Sequence, residues 1–352
     1  MLDKVLLSFG LDPSHHKIEQ FGSGLINYTL KVTGNGEDYI LQKINSSVFK
    51  SPESIAQNLT LLQAYFKTIH PDYLFVGALP SLTNELLIKS DDNDNDYYRL
   101  FPFVKGSKTI NFISKRKEAF EAAIQFGRFT SMLNDFDPAK LNYTLTDFHN
   151  LQLRFEQFKQ AYQNAEPALL EQAATEIKQV YDHYNILQSY NQVITDKDIP
   201  LRVIHHDTKI SNVLFDKDLN GICVIDLDTV MPGYYLSDVG DMMRTYLSPA
   251  NEEETDLSKI HIREDIFADI CKGYMQEMGD ILTETEKKYF IFSGKFMIYM
   301  QAIRFLTDFL NGDIYYEVKY PGHNLMRAKN QFDLLNKYVR SEEKLNRILT
   351  EV

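Results

Sequence analysis

Residues 203–230, VIHHDTKISNVLFDKDLNGICVIDLDTV, constrain the fold more than any other stretch of the chain. Two apolar runs, NVLF at 212–215 and ICVI at 222–225, flank the turn-forming segment DKDLNG. β-Branched and aromatic residues around an Asp/Asn/Gly turn predict a β-hairpin. If Phe215 pairs with Ile222, Asn212 falls opposite Ile225, and the side chains of Asn212 and Asp226 emerge together at the open end. An amide oxygen beside a carboxylate suits a hard cation such as Mg2+, which keeps waters and completes its shell with phosphate oxygens. Asp207, on the loop that enters the hairpin, is placed to accept a proton from a hydroxyl nucleophile.

The order His205, Asp207, Asn212, hairpin, Asp226 is the H-x-D-x-x-x-x-N arrangement of kinase catalytic segments, followed by a metal-binding aspartate. That arrangement needs a lysine and a phosphate-covering turn from an earlier β lobe. From Lys17 to Asn45 the sequence reads as three antiparallel strands, KIEQF, NYTLKVT and DYILQKIN, joined by glycine-bearing turns. Lys43 stands at the end of the third, and Gly22, Ser23 and Gly24 form the turn between the first two. Ser51 as cap and Pro52 in the first turn open a helix that continues through Ile55, Leu59 and Leu62. LLIK and YYRLF flank the acidic SDDNDND as two further strands. A calcium-loop reading of that segment fails, because a frame starting at Asp91 puts Asp96 where glycine is required and Pro102 where glutamate is required.

After Pro102 the apolar spacing becomes helical, predicting helices at 116–134, 151–164, 166–192, 262–278, 284–310 and 324–338. A chain of 352 residues exceeds one ordinary core. The predicted organisation is an α+β fold: an antiparallel β lobe at 1–103, a mainly helical lobe at 104–352, and a hinge at 99–104. The net charge of −12 argues against nucleic acid or an anionic membrane as partner. No stretch reaches the roughly 20 apolar residues that span a bilayer. The start, MLDKVLLSFGLDP, reads as a short amphipathic helix rather than a leader. Cys223 and Cys271 read as buried small hydrophobes of a reducing compartment, so a cytoplasmic location is expected. The sequence names no oligomeric state.

With these stretches in view, the chain resembles the aminoglycoside phosphotransferase and choline kinase superfamily, and within it the N-acetylhexosamine 1-kinase group. The matching segments are FGSGLINYTLKV, YILQKIN, VFKSPE, RLFPFVKG, DFHNLQLRFEQF, HHDTKISNVLF, VIDLDTVMPG, SDVGDMMRT and RFLTDFLNGDIYY. The resemblance implies a bilobal protein-kinase-like fold using ATP and Mg2+, with an N-acetylhexosamine (GlcNAc or GalNAc) phosphorylated at its anomeric hydroxyl. It implies Asp207 as base, Asn212 and Asp226 as metal ligands, Lys43 on nucleotide phosphate, and the backbone of RLFPFV, including Pro102, Phe103 and Val104, against adenine. Kinase-like folds pair the strand lysine with a helix glutamate, whereas the helix here reads IAQNL at 55–59.

His205 reads as a support whose ring bonds backbone, and His206 as surface or pocket wall. Asp238 in YLSDVGDMMR reads as a cap bracing the loop, with a chemical role left open. Asp228 is either a second metal contact or a turn cap. Arg244 and Arg304 are candidate substrate contacts. Arg304 lies on an otherwise apolar helix, where a lone charge is costly, so it either pairs with Asp308 or reaches a ligand. Asp147 and His149 are weaker candidates. Rival readings are a kinase for another small hydroxyl substrate, a haloacid-dehalogenase-like phosphatase opening at DLDTV, an HD phosphohydrolase, and a nucleotide-binding pseudokinase.

Overall fold

Alternation of apolar and polar residues between Lys17 and Pro102 produces a five-stranded antiparallel sheet in the computed structural model, which describes residues 2–22, 26–34, 36–90 and 96–352. Its strands are β1 (Lys17–Gln20), β2 (Tyr28–Thr33), β3 (Asp38–Ile44), β4 (Ile88–Lys89) and β5 (Tyr97–Pro102), in the order β1-β2-β3-β5-β4. One face is sealed by helix α1 (Leu2–Ser8): Val5, Leu6 and Leu11 pack on Leu30, Val32, Leu41, Tyr98 and Leu100. The amphipathic start thus covers one face of the sheet.

Helix α2 (Pro52–Ile69) joins the main core through Ile55, Leu59, Leu62 and Phe66. Ser51 stands at its cap, but the hydroxyl bonds Ser54 Oγ at 2.9 Å rather than a backbone N–H. Pro52, which carries no N–H, removes one donor that would otherwise lack a partner. The stretch 99–104 expected as a hinge is strand as far as Pro102, which pairs with Tyr39. The remainder of the acidic hairpin tip, 91–95, lies outside the described residues.

The rest of the chain is helical, interrupted by two short ribbons that carry the segment read first. The helices are α3 (Arg116–Met132), α4 (Leu151–Asn164), α5 (Pro167–Gln172), α6 (Ala174–Asp182), α7 (Tyr184–Val193), α8 (Leu236–Tyr246), α9 (Glu264–Met278), α10 (Glu284–Lys288), α11 (Phe290–Leu310) and α12 (His323–Thr350). The ribbons are β6 (Arg202–Ile204) with β9 (Met231–Gly233), and β7 (Val213–Phe215) with β8 (Gly221–Val224). The antiparallel sheet followed by helices is the α+β class expected. Among the described residues no helix is long and apolar enough to cross a membrane.

Two predicted helices are broken, and at two of the three breaks a tyrosine takes a nearby carbonyl of the ladder. The run 166–192 divides at Ala173 and His183, and Tyr299 Oη donates to Val180 O at 2.6 Å just before the second break. The run 284–310 divides at Tyr289, where Tyr235 Oη donates to Glu286 O. Helix α12 runs further than its apolar spacing indicated, to Thr350. Helix α8 was legible only as a capped stretch.

Helix α11 is the apolar axis of this lobe, with Phe290, Phe296, Tyr299, Ile303 and Phe305 all buried. Helix α8 lies against it at Gly240, where an added Cβ would meet Ser293 O at 2.3 Å and Met297 Cβ at 2.9 Å. Neither can retreat cheaply, since one is backbone and the other a packed core atom. Gly240→Ala is expected to cost about 1–3 kcal/mol, the usual range for overpacking, read from the midpoint of urea denaturation.

Candidate active site

The loop 205–212 is shaped by carboxylates of α8. Asp238, fully buried, accepts the backbone N–H groups of His205 (2.9 Å) and His206 (2.7 Å) on its two oxygens. One turn later Asp241 accepts the N–H of Thr208 at 2.9 Å, and the Thr208 hydroxyl donates to Asp238 O. Positions 238 and 241 share a helix face, so one helix holds three consecutive parts of the loop. Burial pushes the Asp238 carboxyl up to about 6, although His205 and the two N–H donors oppose the shift.

His205 donates from Nε2 to Ile225 O at 2.9 Å and accepts Asp207 N–H on Nδ1 at 3.4 Å. One tautomer serves both contacts, and the ring ties loop to hairpin. His206 has φ +66°, donates from Nδ1 to Thr229 O at 3.1 Å, and rests against Gly233, where a Cβ would meet its ring at 2.4 Å. Burial and the neighbouring His205 push its pKa down to about 3, so it is a neutral wall.

The hairpin keeps the expected register at its open end: Val213 pairs with Val224, and Ile225 N donates to Asn212 O at 2.8 Å. A bulge after Leu214 shifts Phe215 opposite Gly221 rather than Ile222. Asn212 Nδ2 donates to Asp207 O at 2.9 Å, leaving Oδ1 without a partner among the described residues. Asp226 sits at φ +62°, with part of its surface open to solvent. Desolvation of the carboxylate by the surrounding protein, then Asp228 and Asp207, push it up to about 7.

The amide oxygen and carboxylate offer hard donors suited to Mg2+. Among the described residues no cluster of three or more His, Cys, Asp or Glu forms a protein-only metal cage. Such an ion would draw its other ligands from phosphate and water.

Asp207 lies beside Lys209, whose ammonium is 3.1 Å from Oδ2. Burial alone would raise the Asp207 carboxyl; Lys209 and His205 outweigh it and hold it below the usual range. The Lys209 ammonium is raised in turn, mainly by Asp207. The sequence reading passed over Lys209. Its signal was available, since a lysine two residues after an aspartate lies within reach of that carboxylate.

Lys43 is a correction. Along β3, Leu41 packs in the cluster under α1, and side chains two residues apart share a face. Lys43 pairs across the sheet with Tyr98 of that same cluster and forms an ion pair with Asp96 at 2.6 Å. Its ammonium is therefore on the face turned away from Asp226. The opposite face carries Gln42 and Arg99, and Arg99 grips Asp228 with N···O distances of 2.5 and 2.7 Å. Asn27 donates to the same carboxylate at 2.7 Å. Asp228, 2% exposed, is thus an inter-element anchor rather than a metal contact.

The missing helix acid is replaced by Asn58. It donates to Asn142 O (2.9 Å) and Val230 O (3.2 Å) and accepts Asn142 N–H at 2.8 Å, fastening α2 to the segment after Asp226.

Pro102 closes β5. Phe103 donates its N–H to Asp38 O at 3.0 Å, with Phe21 edge-on and Lys31 4.0 Å above its ring. Val104 O accepts the Ser107 hydroxyl at 2.6 Å. Gly22 has φ +76°; Ser23 and Gly24 lie outside the described residues.

On the other side of Asp207, Arg304 does not pair with Asp308. Asp308 accepts the N–H groups of Ile314, Tyr315 and Tyr316 and so shapes the turn after α11. Arg304 bonds Gln301 Oε1 at 3.1 Å and lies between the rings of Phe148 and Tyr316. Arg154 donates to Gln157 Oε1 and to the carbonyls of Asp147 and Phe148. Neither guanidinium forms an ion pair among the described residues. Burial, then Arg304, lowers the Arg154 pKa; burial, His206 and the arginines hold His149 neutral. Arg244, by contrast, is occupied by Asp241 (2.9 Å) and Glu252 (2.7 Å), bracing the loop from behind. It is thereby withdrawn from the candidate substrate contacts. Asp147, at φ +55°, belongs to the turn before α4.

DLDTV does not open a phosphatase sheet, because among the described residues the preceding strand β8 pairs only with β7, in an antiparallel ribbon.

A family model described as the phosphotransferase enzyme family matches residues 17–264. A spectinomycin phosphotransferase in complex with ADP and spectinomycin superposes with TM-score 0.63 at 11% identity, covering 96% of this chain and 98% of that one. An amicoumacin kinase in complex with AMP-PNP and Ca2+ gives TM-score 0.62 at 15% identity, covering 96% and 92%. A microcompartment-associated aminopropanol kinase gives 0.62 at 14%, covering 98% and 97%. At such identities the likeness speaks to the fold, which is the one expected.

Asp238→Ala strands two buried N–H groups, each worth about 1–3 kcal/mol. Denaturant unfolding is expected to show a loss of about 2–6 kcal/mol on that basis, and turnover is expected to fall at temperatures where the variant stays folded.

Proposed function

The chain belongs to the phosphotransferase enzyme family, and from that premise we propose that it is an ATP-dependent small-molecule kinase forming the 1-phosphate of an N-acetylhexosamine. The observation that carries the kinase reading is the convergence of Asp207, Lys209, Asn212 and Asp226 at one cleft. Asn212 and Asp226 would hold Mg2+ there, and the ion would supply neutralisation of charge on the phosphates. Asp207 accepts the proton of the attacking hydroxyl, and its lowered pKa keeps it ionised at neutral pH. Lys209 spans the base and the incoming phosphoryl oxygens, the role first expected of Lys43. Adenine lies against Phe103 and Val104, so the lobes meet close to 103.

The acceptor side favours a sugar over an amine. Arg154 and Arg304 stand together with no ion-paired carboxylate among the described residues, in a chain of net charge −12. Like charges at close range oppose an ammonium-bearing acceptor, whereas guanidinium N–H groups donate readily to hydroxyl and acetamide oxygens. Aminopropanol, the substrate named for one similar structure, is an amine. Phe148 and Tyr316 beside Arg304 offer apolar faces for a pyranose ring or its methyl group.

The test is ADP release with MgATP over GlcNAc, GalNAc, other hexoses, choline and an aminoglycoside, with EDTA as control. Turnover confined to N-acetylhexosamines, with phosphate at C1, supports the proposal; turnover only with amines defeats the sugar assignment. Asp207→Asn is expected to lower kcat by ~10²–10⁴-fold, as for a lost general base. For Arg304→Gln, steady-state kinetics should show acceptor KM rising ~10–100-fold, the equivalent of one charge-assisted hydrogen bond, with KM for ATP unchanged.

A further inference from the structure

The ion pair between Arg99 and Asp228 is 2–3% exposed and joins two parts of the molecule that the chemistry must bring together. Arg99 belongs to β5, and Asp228 lies two residues after Asp226. The segment 225–230 is secured on the helical side by His205 Nε2 on Ile225 O, Thr144 Oγ1 on Asp228 O, and Thr229 Oγ1 on His205 O. On the sheet side it is held by Arg99 and Asn27 on the Asp228 carboxylate and by Asn58 on Val230 O. Asp226 itself has no side-chain hydrogen bond among the described residues, yet its backbone is left-handed at φ +62°, ψ +58°. A non-glycine residue keeps that conformation only when its surroundings impose it.

We propose that Arg99 is a positioning residue for the metal site: through Asp228 it fixes the turn that aims Asp226 into the cleft. Gln42, which accepts from Arg99 at 2.9 Å and donates to Thr29 at 3.1 Å, braces the guanidinium beside the carboxylate. One hydrogen bond, Arg99 Nη2 to Asp228 Oδ2 at 2.7 Å, and the close charge contact beside it tie β5 to the turn after Asp226. A sheet that shifts relative to the helical lobe would move the ligand with it. The inference rests on Asp226 being a metal ligand.

The test measures Mn2+ binding to the AMP-PNP complex by electron paramagnetic resonance, beside AMP-PNP affinity in EDTA and circular dichroism. Arg99→Met is expected to weaken Mn2+ binding ~10–100-fold, the range for losing a partner that orients a metal ligand, with metal-free nucleotide affinity retained. Arg99→Lys should recover only part of the loss. If Arg99→Met binds Mn2+ as the parent does while Asp226→Ala does not, the positioning role is overturned and the metal site stands. If Asp226→Ala also binds normally, both fall. Equal weakening of metal-free nucleotide and Mn2+ marks a merely structural pair and likewise overturns the role. Should Arg99→Met not fold, Asn27→Ala, which removes one bond to Asp228, carries the test: weaker Mn2+ binding supports the role and unchanged binding overturns it.

Discussion

A buried carboxylate that accepts two consecutive backbone N–H groups is the contact on which the site depends. Asp238 sits on α8, and α8 is held against α11 by the absence of a side chain at Gly240. Without those two acceptors the loop would expose or strand the N–H groups of His205 and His206, and the left-handed turn at His206 would lose its support. Once the loop is fixed, His205 fixes the hairpin and the hairpin fixes Asn212 and Asp226. Reactive groups are thereby placed by a chain of contacts that begins in an apolar helix pair.

The electrostatics follow from the same arrangement. Asp207, Asp226, Asp228, Asp238 and Asp241 crowd a small volume, and each has a different neutralising arrangement. Asp228 has Arg99, Asp241 has Arg244, Asp207 has Lys209, and Asp238 has backbone donors. Asp226 alone has no ion pair or side-chain hydrogen bond among the described residues; desolvation, then Asp228 and Asp207, raise its pKa against the opposing charges of Lys209 and Arg99. A divalent ion is the partner that would reverse that rise.

Much of this was legible in the sequence because it is local. The hairpin register, the tie from His205 to backbone, the bracing role of Asp238 and the strands at 17–44 follow from spacing and turn chemistry within a few residues. Lys43 was misread for an equally definite reason. A strand places alternate residues on opposite faces, and the face that packs under α1 is decided by a helix whose docking no local pattern reveals. Arg99 was read as hinge backbone because its partner is 129 residues away. Breaks at His183 and Tyr289 were invisible because the tyrosines that occupy the ladder carbonyls come from distant helices.

The two halves of the cleft also differ in what must come apart for them to move. The outer face of the sheet has its own small core under α1, whereas the loop 205–212 shares the large core of α8 and α11. In terms of hydrogen exchange, the amides of His205, His206 and Thr208 are guarded by side chains on α8 and open only when the helical core does. The mostly exposed edge strand β1 can fray at far lower cost, so the sheet can breathe while Asp207, Asn212 and Asp226 stay in register.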